Sequence, residues 1–205
     1  MYLEAISSKR QKIFQKLKNF PQFYLAGGTA LALHIGHRMS DDFDLFTAED
    51  IPVTLLEKVE KIFKESTIDI IINHSEQLSL MIDQTKVDFV KYPFPLILDL
   101  IKYKKVKIIK IPEIAAMKAY TIGRRATYKD YIDLYFILSE KYSSLPEIIK
   151  ISKEKFKEYF DPRLFLEQLV YLEDIQEEPI QFLKKKVGKK KLERFFEMEI
   201  KDVKL

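Results

Sequence analysis

Gly27-Gly28-Thr29 is followed, after twelve residues, by Asp42-Phe43-Asp44-Leu45. Paired glycines let a backbone turn tightly and approach a ligand with no Cβ in the way. Thr29 stands where a helix would begin, and a helix N-terminus offers unpaired N–H groups and a positive dipole end to phosphate. Asp42 and Asp44 are one residue apart, so in a strand they share a face while Phe43 and Leu45 turn to the other. Two carboxylates side by side are costly unless a cation lies between them. A phosphate cradle followed closely by a divalent-metal site is the layout that phosphoryl or nucleotidyl transfer requires.

A third carboxylate has the same setting. Val87-Asp88-Phe89 would bury its apolar neighbours on one face and turn Asp88 to the other, where it could complete a two-metal site or take a proton from an attacking hydroxyl. A lone Gly-Gly is most often a turn, and a lone Asp-x-Asp is most often solvated surface. Here they occur in order, with an apolar helical stretch between them and apolar residues around each aspartate.

The elements that must position these groups follow from periodicity. Residues 3 to 18 carry apolar residues near helical spacing, and residues 23 to 26 form a short strand delivering the glycine pair. Residues 29 to 35 form the helix behind it, stopped by Gly36. Pro52 opens a helix running to about residue 64. Residues 67 to 73, 77 to 82 and 86 to 91 read as strands, giving a mixed sheet of about five with the two motif strands. Beyond Pro112 the pattern turns helical: residues 113 to 122, ended by Gly123-Arg124-Arg125, then 128 to 140. There Asp130 and Asp133 share a face, and Lys129 is spaced to pair with Asp133. Past residue 145 only amphipathic helices follow, with Leu164, Leu166, Leu169, Val170 and Leu172 as a core stripe.

The first motif, with Thr-Ala-Leu-Ala-Leu at 29–33 and Gly-His-Arg-x-Ser-x-Asp-Phe-Asp-Leu-Phe at 36–46, resembles the DNA polymerase β nucleotidyltransferase superfamily, and within it the AbiEii/AbiGii-type toxin nucleotidyltransferases. Ile114-Ala115-Ala116-Met117-Lys118-Ala119, Gly123-Arg124 and Lys129-Asp130-Tyr131-Ile132-Asp133-Leu134 are similar to later blocks of that family. The resemblance covers roughly residues 23 to 140. It implies an α+β fold: a polymerase β-like core over 1–110 with a mixed sheet flanked by helices, and a helical region over 111–205 completing the active-site cleft.

The same resemblance implies Mg²⁺-dependent (or Mn²⁺-dependent) transfer of a nucleoside monophosphate from an NTP to an acceptor hydroxyl, with pyrophosphate leaving. Asp42, Asp44 and Asp88 would hold the metal, and Gly27, Gly28 and Thr29 the phosphates. Lys118 would contact the nucleotide phosphates, and Asp130 would belong to the active site. An ammonium there would stabilise charge as pyrophosphate departs. The implied acceptor is RNA, often tRNA, and the implied context is the toxin of a toxin–antitoxin or phage-defence pair with a cognate antitoxin. The alternatives are a small-molecule, antibiotic-type nucleotidyltransferase and a silent nucleotide- or RNA-binding module.

Composition sets limits around this reading. Of 205 residues, 47% are hydrophobic and 32% charged, the balance of a globular chain. Net charge is +4, too small by itself to announce a nucleic-acid binder. There is no cysteine, which excludes thiolate chemistry and disulfides, and the three histidines, His34, His37 and His74, leave little room for zinc. No signal peptide or membrane span is read, so a cytoplasmic location is expected. Two lysine runs remain. Residues 101–110 carry five lysines and no acid, and residues 184–191 carry six around Gly188; each suits either a nucleic-acid backbone or a solvated face.

Overall fold

The computed structural model describes residues 1–203. Its chain divides into two compact units, the first formed by Met1–Pro95 with Asp99–Ile109, the second by Leu96–Leu98 and everything from Lys110 onward.

The first unit contains α1 (Ser8–Lys16), β1 (Tyr24–Ala26), α2 (Gly27–Ile35), β2 (Phe43–Thr47), α3 (Leu55–Ile62), β3 (Ile68–His74), β4 (Gln77–Ile82), β5 (Thr85–Lys91), β6 (Ile101–Tyr103) and β7 (Val106–Ile108). The strands form one mixed sheet in the order β3-β4-β5-β2-β1-β7-β6. β2 pairs parallel with β5 and antiparallel with β1, which pairs parallel with β7. Alternation in β2 sends Phe43 and Leu45 into the core and leaves Asp44 and Phe46 half-buried on the opposite face. The core face is aromatic. Phe14 of α1 lies against Phe43 and Tyr103, with ring centroids 6.4 and 6.1 Å apart, and Phe20 and Phe23 each meet Phe89 at 5.0 Å. Each such ring, fully buried, contributes on the order of 1.5–3 kcal/mol.

The sheet has seven strands where the sequence suggests five, because the first lysine run folds into the β6–β7 hairpin. Helix α2 begins at Gly27, two residues before the expected start, and α3 begins at Leu55, since Pro52 forms only a turn whose carbonyl accepts Leu55 N–H at 2.9 Å.

The second unit contains α4 (Ile111–Arg125), α5 (Tyr128–Ser139), α6 (Leu145–Phe156), α7 (Pro162–Val170) and α8 (Lys189–Glu199). Gly123 does not end α4: the helix continues through Arg125, with the Arg124 guanidinium 3.7 Å from the Tyr120 ring centroid and hydrogen bonded to the Tyr159 carbonyl. Thr127 and Asp130 form a reciprocal capping box on α5. In α7 the buried residues are Phe165 and Leu169, while Leu164 of the expected stripe is exposed. Glu113 and Lys155 are both completely buried and paired at 2.7 Å; Glu113 also accepts the backbone N–H groups of Ile97 and Leu98 at 3.0 Å each. Among the described residues, no helix is long and apolar enough to cross a membrane.

Candidate active site

Three residues on adjacent strands form a row: Ala26 of β1 is the register partner of Asp44 on β2, and Asp44 is the partner of Asp88 on β5. Paired positions share a face, so Asp44 and Asp88 present their carboxylates together. Gly27 follows Ala26 directly. Its φ is +67°, and a Cβ there would overlap Asp44 Oδ2. The backbone at the start of α2 is thus packed against the Asp44 carboxylate, which only glycine allows. Ala26 caps α2 without a side-chain hydrogen bond, leaving the first N–H groups of this helix unclaimed by a capping side chain.

Thr29 has a different part from the one its position suggests. Its hydroxyl is buried, donates to the carbonyl of Asp42 and is hydrogen bonded with Ser40 Oγ at 2.7 Å. What Thr29 can offer a phosphate is its backbone N–H, while its side chain fixes the loop entering β2. Arg10 holds the same loop, donating to the Asp41 carbonyl at 2.8 Å and pairing with its carboxylate at 3.0 Å.

Asp88 is 8% exposed. Its Oδ2 accepts Lys86 Nζ at 2.7 Å, and among the described residues its Oδ1 is buried without a hydrogen-bond partner. Lys86 was not legible as a site residue. Its position two before Asp88 puts it on the same strand face, which is the one signal the sequence offered. Its ammonium is held above the ordinary lysine range by the hydrogen bond to Asp88 and by the charges of Asp88, Asp44 and Asp42. Lys86 is therefore a cation already beside the carboxylates.

In the second unit Lys118 lies between two carboxylates, 2.7 Å from Asp130 Oδ1 and 2.7 Å from Asp133 Oδ2. Asp130 also accepts the N–H and hydroxyl of Thr127 on Oδ2, both at 2.9 Å. Lys129 does not pair with Asp133; it reaches Glu178 at 2.9 Å, because Lys118 of α4 already holds Asp133. His34 is tied to the Ile109 carbonyl through Nε2 at 2.8 Å, and burial lowers its pKa, so it serves packing in the first unit.

Among the described residues no three His, Asp or Glu side chains converge as a ready-made metal cage. The donor set nevertheless fits a hard divalent cation: all its atoms are carboxylate oxygens, and the orphaned Asp88 Oδ1 is a buried acceptor awaiting a partner.

The first unit thus combines a mixed sheet, register-paired aspartates and a glycine at a helix start. Solved structures share the fold. The MenT4 nucleotidyltransferase toxin of Mycobacterium tuberculosis H37Rv superposes with a TM-score of 0.59 at 17% identity over 90% of this chain and 77% of its own. The antibiotic-resistance factor ANT(2'')-Ia does so with 0.52 at 11% identity over 72% and 90%. An uncharacterized protein of Aquifex aeolicus (strain VF5) is 34% identical over 182 residues, 88% of this chain and 87% of that one. The profile of the nucleotidyl transferase AbiEii toxin family, type IV toxin–antitoxin system, matches residues 12–204. The chain belongs to that family and is a nucleotidyltransferase.

Proposed function

We propose that this nucleotidyltransferase moves a nucleoside monophosphate from an NTP to a hydroxyl of RNA, with tRNA as the RNA class, and that it is the toxin whose action a cognate antitoxin opposes. The observation that carries the catalytic part is the Asp44–Asp88 register pair, with Gly27 closed against Asp44 and one Asp88 oxygen left without a partner.

In this reading Asp42, Asp44 and Asp88 would hold Mg²⁺ or Mn²⁺. When bound, the metal supplies charge neutralisation at the phosphates and lowers the pKa of the attacking hydroxyl. The chain's own groups do the rest. Gly27 keeps side-chain atoms away from the backbone so that the N–H groups of Gly28 and Thr29 can face phosphate. Thr29 and Ser40 fix the loop carrying Asp42, and Lys86 holds Asp88 through Oδ2, leaving Oδ1 to accept the hydroxyl proton. The acceptor oxygen bonds to the α-phosphorus, the bond from that phosphorus to the bridging oxygen breaks, and pyrophosphate leaves with the electron pair. For the second unit we assign Lys118 to the charge of the nucleotide phosphates, with Asp130 and Asp133 orienting its ammonium.

The test is incubation of purified protein with total RNA, Mg²⁺ and each labelled nucleoside triphosphate in turn, beside Asp44→Asn. Label in a tRNA-sized band with the wild type, reduced at least ~100-fold in the variant, is expected. Equal labelling by a folded Asp44→Asn would overturn the site assignment. Label found only in a small-molecule acceptor would replace RNA as the substrate.

A further inference from the structure

The two lysine runs have different fates in the folded chain. Half of the later one is held by its own unit: Lys184 pairs with Glu140 at 2.5 Å, Lys189 donates to the carbonyls of Glu173 and Ile175, and Lys191 lies 5.4 Å from the Tyr135 ring centroid, while Lys185, Lys186 and Lys190 are exposed. The earlier one forms the β6–β7 hairpin, where Lys102, Lys104 and Lys105 are exposed, Lys107 is half-buried, and none has a carboxylate partner among the described residues. Asp99 is the one acid in the sequence between Lys91 and Glu113.

The hairpin concentrates this charge against two local preferences. Lys102 and Lys107 are register partners, so two ammonium stems stand directly opposite each other, an arrangement that repels. At the tip Lys104 and Lys105 have φ of +48° and +69°, the φ pattern of a type I′ turn, which favours Asn-Gly. The other two-residue hairpin with positive φ, at Asp83-Gln84, is compensated by the Asp83 carboxylate, which accepts Thr67 N–H at 3.1 Å. Among the described residues no such bond ties the Lys104 or Lys105 side chain; the Lys104 ammonium sits 5.7 Å from the Tyr103 ring centroid.

Register also says where the charge lies. Leu25 pairs with Ile108 on the core face, so Lys107, next to Ile108, turns to the opposite face, the one carrying Ala26 and Asp44. Lys102 shares that face through its pairing with Lys107. The register sets Lys107 level with Tyr24 and Phe46, two residues along the strand from Asp44, so at about 4.8 Å per strand and about 3.3 Å per residue Lys107 is roughly 12 Å from Asp44 and Lys102 roughly 16 Å.

We infer that the β6–β7 hairpin is the docking element for the phosphate backbone of the acceptor, with Lys107 and Lys102 on the sheet face that carries Asp44, two and three strands away, and Lys104 and Lys105 extending the track at the tip. The inference rests on the proposed RNA acceptor and adds where its backbone lies. Bound phosphates relieve the Lys102–Lys107 repulsion and are neutralised additively.

The test is fluorescence anisotropy of a labelled, mixed-sequence single-stranded RNA over a salt series, without NTP. The variants are Lys102→Gln/Lys107→Gln and Lys104→Asn/Lys105→Gly, with Lys185→Gln/Lys186→Gln/Lys190→Gln as the comparison in the later run. Each hairpin variant is expected to reduce the slope of log affinity against log salt by about 1.4, at roughly 0.7 per phosphate contact, while the comparison variant binds as wild type does. The tip variant is also expected to unfold at a higher temperature, because Asn-Gly suits the turn, so binding and stability move in opposite directions. Unchanged slopes in both hairpin variants, or an equal loss in the comparison variant, overturn the inference. Labelled NTP is measured alongside; a fall in its affinity with RNA binding intact would assign the hairpin to the triphosphate and overturn it too. Wild-type protein that binds RNA through the hairpin yet labels none would sink the acceptor reading and leave the docking surface standing. Hairpin variants that bind normally, in a protein that labels RNA, sink the docking surface alone.

Discussion

Gly27 brings the start of α2 against the Asp44 carboxylate through one missing side chain. An alanine there meets two obstacles: a left-handed backbone, worth about 1–2 kcal/mol, and the Asp44 carboxylate in the place its methyl would occupy. The carboxylate is the softer of the two, so it should rotate away while the fold persists. We predict that Gly27→Ala retains its circular dichroism and loses about 100-fold in nucleotide transfer, the usual result of moving a reacting group by an ångström. Undiminished transfer in this variant would show that the Asp44 position does not matter to the reaction. At this scale the sequence was partly transparent. Alternation exposed Asp44 and Asp88, because apolar neighbours on both sides leave a strand carboxylate one face to occupy. Lys86 stayed hidden, since a lysine in a strand reads as solvated surface until its partner across one residue is known. Thr29 was visible as a residue but not in its role, because nothing in local spacing shows a hydroxyl returning to the Asp42 carbonyl.

Helix α5 carries the clearest pH dependence. Tyr128 and Tyr131 are both pushed up to about 12, chiefly by burial, with the nearby charge of Glu177 adding to the first and of Asp130 to the second. An unfolded tyrosine ionises near 10.0, so between these values the unfolded chain has lost protons that the folded one keeps. Stability from this source is complete below pH 10 and declines as pH rises toward 12. Thermal midpoints measured across that window should fall for the wild type and fall less steeply for Tyr131→Phe, which also loses the hydrogen bond to the Gln168 carbonyl at every pH. Parallel declines would show that these phenols are not the cause. The start of α5 at Tyr128 was legible in the sequence, whereas the start of α7, where the Asp161 side chain accepts the N–H groups of Arg163 and Leu164, was not drawn. Element boundaries were obscure where tertiary contacts override propensity. Arg124 carries α4 past Gly123, and a hairpin turning on two lysines has no glycine or asparagine to mark it.

At the scale of the molecule, the pairing of Glu113 with Lys155 is the feature on which the second unit is assembled. Both are wholly buried, and Glu113 additionally holds the backbone of Ile97 and Leu98. Breaking such a pair by neutralising one partner strands the other charge, at about 3–5 kcal/mol. Glu113→Gln in the full chain should therefore lower the unfolding free energy by that amount in denaturant titration, and Glu113→Gln/Lys155→Met should recover part of it. A loss under about 1 kcal/mol would mean that the pair is poorly coupled to the fold. Residues 96 to 98, which belong to the second unit, impose an order on biosynthesis. The row of Ala26, Asp44 and Asp88 is complete once residue 91 has been made, but β7, which lies beside β1, comes only after the chain has passed through the territory of the other unit. Ile97 and Leu98 must then wait for Glu113, and Glu113 for Lys155 forty-two residues later. A nascent chain on the ribosome thus carries its carboxylates long before it can finish either unit, and neither half can be severed at a single peptide bond without leaving part of itself behind.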